Sequence, residues 1–191
     1  DVLGFFFFFE VCYPNILTML DLVGIPLRAE QRTLADPLVI AGGPCAQNPE
    51  PVAPFIDLFV TGDGEPSLPL ICDRWLKLRE DAGPILEGEA GRRQREELLL
   101  QLAQELPFAY VPRFYEPEYK DGRFVALNRT HTEVPETIEP SVISDLDGIP
   151  LPTKPIVPYV ECVHDRIAIE IMRGCPWQCR FCQSTVIKRP L

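Results

Sequence analysis

The chain has 191 residues, 46% of them hydrophobic and 24% charged, which is enough apolar material for a packed core and excludes a disordered, solvated polymer. Its formal net charge of −10 excludes a general nucleic-acid footprint, which needs a basic surface. An RNA substrate would require a basic module elsewhere in the protein, and the acidity itself reads as a solubility feature.

The first element predicted is a strand over residues 2–9, where an unbroken apolar run containing Phe5–Phe9 suits a fully buried, central position. That run is too short for a membrane span, which takes about 20 residues. It lacks the basic flank and small-residue cleavage site of a secretory leader. A helix follows over Pro14–Val23 with Ile16, Leu20 and Val23 on one face, stopped by Gly24 and Pro26. Two short buried strands come next, Leu38–Ile40 and Phe55–Val60. Each ends in a glycine-rich turn, Gly42-Gly43-Pro44 and Gly62-Asp63-Gly64-Glu65. A helix then carries Leu68, Ile71, Trp75 and Leu78. The alternation predicts a parallel α/β sheet.

Residues 81–91 read as a loop. A charged helix to Leu106 follows, with Leu98, Leu102 and Leu106 as its apolar stripe and Arg92, Arg93 and Arg95 on a solvated face with Glu96 and Glu97. Short β-like pieces are expected around Ala109–Tyr115 and Phe124–Leu127. Residues 135–158 are proline-rich and read as an extended linker, with Asp145 and Asp147 as turn residues rather than an acid–base pair. A new strand is expected from Arg166 to Ile171. It runs directly into the loop Arg173-Gly174-Cys175-Pro176-Trp177-Gln178-Cys179-Arg180-Phe181-Cys182-Gln183.

The chain has seven cysteines, an odd count, and the first four (Cys12, Cys45, Cys72 and Cys162) are scattered. This fits free thiols in a reducing cytoplasm better than a secreted disulfide framework. The last three, Cys175, Cys179 and Cys182, stand as CxxxCxxC within one loop. Three thiolates from one loop reach three corners of an iron–sulfur cubane and leave the fourth iron open to an outside chelator. A zinc site would call for a fourth protein ligand, for which Cys162 and His164 are the nearby candidates. A zinc- or cluster-stabilised interaction module without catalysis is therefore the second reading.

The strand followed by RGC, three residues and CxFC resembles the radical S-adenosylmethionine (SAM) superfamily. The resemblance implies the first strand and cluster loop of a partial (β/α) barrel. It implies a 4Fe–4S cluster ligated by Cys175, Cys179 and Cys182, SAM on the open iron, and Phe181 near the SAM adenine. The implied reaction is one-electron cleavage of SAM to a 5′-deoxyadenosyl radical, with an electron donor such as flavodoxin or ferredoxin. On the residues alone, core packing serves Phe181 equally well.

Further stretches resemble the branch of that superfamily with an N-terminal cobalamin-binding-type, Rossmann-like domain. They are CYPNILTMLDLVGIPLR (12–28), PLVIAGGPCAQNPEP (37–51), FVTGDGE (59–65), YVPRFYEPEY (110–119) and TKPIVPYVECVHDRIAIEIMRGC (153–175). In doubly wound sheets ligands lie off the carboxyl ends of strands. The resemblance accordingly implies that Gly42, Gly43, Gly62 and Gly64 face a corrin ring or its nucleotide tail. Against cobalamin stands the lack of the Asp-x-His-x-x-Gly motif: the two histidines, His131 and His164, lie outside that domain and read as surface or structural residues. The Phe5–Phe9 run departs from the branch, whose members mix polar and apolar residues there.

The expected organisation is a partial Rossmann-like domain (1–80), a helical and β connecting region (81–134), a proline-rich linker (135–165) and the start of the barrel (166–191). The Gly-Gly-Glu stretch that contacts the SAM amine in the superfamily does not occur, and no initiator methionine is present. The chain therefore reads as part of a longer enzyme and is not expected to turn over alone. Within the class, a methylthiotransferase-like RNA modifier would need extra cluster cysteines from the N-terminal domain, for which Cys12, Cys45 and Cys72 are the candidates.

Overall fold

The computed structural model describes residues 1–150, 153–154, 159–161, 163, 169–177 and 179–187. The chain divides into two units, Asp1–Val142 and Ile143–Leu191.

In the first unit, β1 (Val2–Phe6), β2 (Leu38–Gly42) and β3 (Leu58–Val60) form a parallel sheet, and β4 (Ala109–Tyr110) adds antiparallel to β3. In the order β1-β2-β3-β4, β1 pairs with β2 alone among the described residues, whereas the apolar run predicts a buried, central strand. Of the phenylalanine run just Phe7 is buried, while Phe6 is 71% exposed. Phe7 donates its N–H to the Gly42 carbonyl at 2.7 Å, which continues the pairing with β2 past the strand end. The central strands β2 and β3 carry fully buried Leu38, Val39, Leu58 and Phe59, as continuous apolar runs in a parallel sheet require.

Helix α1 spans Tyr13–Leu22 with Pro14 in its first turn, where a missing N–H costs nothing. Ile16 and Leu20 are buried, but Val23 lies past the last turn and is exposed. Gly24 and Ile25 close the helix by donating to the Asp21 and Leu20 carbonyls, both at 3.0 Å. The strand expected from Phe55 starts later: Glu50–Phe55 is a 3-10 turn, in which Pro51 and Pro54 lack the N–H donors a sheet ladder needs.

Helix α2 (Gly64–Asp81) buries Ile71, Trp75 and Leu78, whereas Leu68 folds back beside Gly64 and stays exposed. Helix α3 (Gly88–Glu105) starts inside the expected loop and buries Leu98, Leu99, Leu102 and Ala103. Arg92, Arg93, Glu96 and Glu97 are solvated as expected, but Arg95 is completely buried. It lies on the same helical stripe as Leu98, Leu99 and Leu102, and its guanidinium stands over the Trp75 ring, 5.4 Å from the centroid. The core formed by β2, β3 and α2 also takes in α3, Phe108, Phe114 and Val134. Much of residues 81–134 thus belongs to the same packed body as residues 1–80.

Strands β5 (Tyr115–Lys120) and β6 (Arg123–Arg129) form an antiparallel hairpin whose side chains are largely solvent-exposed beyond Tyr115. His131 packs edge-on against Phe114, ring centroids 5.2 Å apart, and so serves structure.

In the second unit, Asp145 Oδ1 accepts from the Asp147 and Gly148 amides at 3.1 and 3.3 Å, so this acidic pair is a turn. The strand expected over 166–171 is not found where it is described: residues 169–171 are irregular, and Ile169 and Ile171 are exposed. A parallel barrel strand needs neighbours for its backbone, and none pairs with it among the described residues. Residues 166–168 lie outside the described residues. Helix α4 spans Ser184–Ile187.

Candidate functional site

The carboxyl ends of β2 and β3 carry the two glycine-rich turns. Gly43 has φ +99°, and a Cβ there would sit 2.9 Å from the Phe7 carbonyl oxygen and 3.0 Å from the Phe6 ring. Gly62 has φ +91°, and a Cβ there would lie 2.6 Å from the Ser141 nitrogen and closer still to its carbonyl oxygen. Glycine at both positions is accounted for by the chain's own close approach. Gly42 and Gly64 are less demanding. A Cβ on Gly42 would make ordinary contact with Val60 at 3.8 Å, and one on Gly64 would meet the flexible Leu68 side chain at 3.3 Å.

Two of the scattered cysteines meet at this end of the sheet. The Cys45 thiol donates to the Phe8 carbonyl at 3.3 Å, and the Cys12 amide donates to the Phe9 carbonyl at 3.1 Å. Burial, then the neighbouring Glu10, pushes the Cys45 thiol up from its ordinary value. Cys72 lies instead on α2.

At the amino ends of the strands lies a buried ionic cluster that sequence reasoning missed. Asp57 Oδ2 accepts from Arg32 Nη1 at 3.0 Å, Arg95 Nη2 at 2.8 Å and the Val39 amide at 2.8 Å. All three side chains are sealed from solvent. Burial lowers the Arg32 pKa from its ordinary value, opposed by the charge of Asp57. Further guanidinium hydrogens reach backbone carbonyls: Pro26, Leu27 and Phe55 for Arg32, and Thr33, Asp36 and Pro37 for Arg95. Arg95 Nε has no partner among the described residues. This cluster ties α3 and the segment after α1 to the sheet. No pattern of spacing announces it, because its members come from three distant stretches.

The cysteine loop belongs to the second unit. Cys175 and Cys182 are half-buried and Cys179 is exposed. The Cys182 amide donates to the Cys179 carbonyl at 3.1 Å, closing a turn between the second and third cysteines, and α4 starts two residues later. Ahead of the loop, Arg173 forks onto Glu170, with Nε–Oε1 at 2.7 Å and Nη2–Oε2 at 3.0 Å. Phe181 is 93% exposed. Among the described residues no three or more His, Cys, Asp or Glu side chains are gathered closely enough to hold a metal ion. The fit to a cluster therefore rests on the donor set: three cysteines on one short loop suit thiolate ligation of iron. Cys162 and His164, the candidates for a fourth zinc ligand, lie outside the described residues.

These features define an α/β protein with a mixed, largely parallel sheet and a separate three-cysteine loop. The chain belongs to the family described as radical SAM proteins, N-terminal, whose model matches residues 1–112. The matched stretch holds the sheet, α1, α2 and α3, and it ends well before Cys175. No curated protein and no solved structure matches the chain. Among the described residues no helix is long and apolar enough to cross a membrane.

Proposed function

We propose that this chain carries the cluster-binding part of a radical SAM enzyme of the cytoplasm, with Cys175, Cys179 and Cys182 as the iron ligands. The observation that carries the reading is the three-thiol loop in a chain whose first 112 residues belong to a radical SAM protein family. When bound, a 4Fe–4S cluster held at three corners supplies the electron for reductive cleavage of SAM, which chelates the fourth iron.

The chain's own residues hold and shield that chemistry. The three cysteines would bind as thiolates, and loop amides would donate to cluster sulfides and tune the potential. Phe181 offers an exposed ring to the SAM adenine. Cys179 and Trp177, both exposed, leave the loop open to an electron donor such as a flavodoxin or ferredoxin. The methylthiotransferase reading would need Cys12, Cys45 and Cys72 as further cluster ligands, and Cys72 stands on α2 rather than on the turn that holds Cys45.

The test is anaerobic reconstitution of the full chain with iron and sulfide. The expected result is about four irons and four sulfides per chain, and a reduced state visible by electron paramagnetic resonance. Tight zinc binding with no iron uptake would overturn the reading in favour of a zinc-stabilised module.

A further inference from the structure

We infer that the Gly62-Asp63-Gly64-Glu65 turn is the receptor for the chain's own Glu139–Ser141 segment, which closes the β3 end of the sheet against a cobalamin-type ligand. In doubly wound sheets a glycine turn after a strand serves a ligand in two ways. It lets the ligand approach the backbone, and it presents free N–H groups. Here the approach at Gly62 and the Asp63 amide are taken by the chain itself.

The close approach is taken by Ser141. It forms a parallel bridge with Gly62, and its nitrogen and carbonyl occupy the space that a side chain at 62 would need. The hydrogen-bonding groups are taken in order along the strand's continuation. The Thr61 amide donates to the Phe108 carbonyl at 3.1 Å, and the Ser141 amide donates to the Thr61 carbonyl at 2.9 Å. The Asp63 amide donates to the Ser141 carbonyl at 2.6 Å. Glu139 is fixed next to the end of β4, where its amide donates to the Pro107 carbonyl at 2.9 Å. The Thr61 hydroxyl lies between the Phe108 carbonyl at 3.1 Å and the Glu139 carbonyl at 3.5 Å. The segment thus acts as a short strap that takes over from β4 as the neighbour of the chain leaving β3.

The second turn agrees independently, since Phe6 and the Phe7 carbonyl fill the space above Gly43. The residues present therefore do not fit a corrin or its nucleotide tail at these two turns.

The test uses the full 191-residue chain. Residue-resolved hydrogen exchange of the wild type should find the Asp63 and Ser141 amides protected, and gel filtration should strip added hydroxocobalamin from the protein. S141P removes the donor to Thr61, and G62A drives a methyl group into the Ser141 backbone. Each should speed exchange at Asp63 by roughly tenfold, the equivalent of about one lost hydrogen bond. Each should also open a new protease site within 135–150 while the Val39–Ala41 amides stay protected. G24A is the control, since Gly24 has φ +70° with nothing within 4 Å, so it strains the backbone without touching the strap. Free exchange at Asp63 in the wild type, or one-to-one retention of hydroxocobalamin, would overturn the inference even if both variants failed to fold.

Discussion

Arg95, in the middle of α3, donates to Asp57 Oδ2 at 2.8 Å across 38 residues of chain, and neither side chain is exposed to solvent. One carboxylate oxygen thereby serves two guanidinium groups and a backbone amide at the foot of the sheet. Replacing such a cluster with well-packed apolar residues can be neutral, but removing one partner strands a buried charge.

Asp57→Asn is accordingly expected to destabilise the chain by about 3–5 kcal/mol, since Arg32 and Arg95 lose their shared counter-charge. Urea unfolding followed by tryptophan emission measures it. A loss below about 1 kcal/mol, the scale of an exposed pair, would show that the cluster does not tie α3 to the sheet.

The six cysteines with described side chains separate into two groups by place. Serine at Cys175, Cys179 or Cys182 should weaken iron retention more than about tenfold, because changes merely outside the ligand shell already cost that much. Serine at Cys12, Cys45 or Cys72 should leave the iron content unchanged. Iron and sulfide analysis after anaerobic reconstitution reads both outcomes, and iron loss in C45S would count against the assignment.

Alkaline pH should destabilise the first unit through its buried tyrosines. Burial, then a hydrogen bond to Glu50, raises the Tyr110 pKa well above the ordinary tyrosine value of about 10. A folded-state pKa above the unfolded one gives stability that is present below pH 10.0 and is lost as pH rises past it. Thermal melting should therefore fall between about pH 8 and pH 11. The fall should be shallower in Tyr110→Phe, with a residual slope from Tyr13 and Tyr115, whose pKa values burial also raises. An identical slope in the variant would rule out Tyr110 as a contributor.

Trp75 is fully buried with its indole N–H unpartnered, so Trp75→Phe removes an unsatisfied donor along with some volume. Its cost should stay well below the roughly 3–5 kcal/mol of Trp75→Ala. The same variant leaves Trp177, 73% exposed between Cys175 and Cys179, as the sole tryptophan. Its emission should be quenched as the loop takes up iron, and unchanged emission on full loading would place the metal elsewhere.

What the sequence by itself determined is local in origin. Pro14 and Gly24 bounded α1, the leucine spacing marked the buried stripe of α3, and CxxxCxxC marked the candidate ligands, because caps, periodicity and ligand spacing are written within a few neighbouring residues. The tertiary structure alone decided that β1 pairs with β2 alone among the described residues, that Arg95 is buried, and that Ser141 docks on Gly62. A run of five phenylalanines reads the same whether one or two strands flank it, and an arginine among glutamates reads as solvated until a distant Asp57 is brought beside it. Such partners are chosen by pairing between remote segments, and hydrophobic pattern within a segment carries no record of which neighbour it will meet.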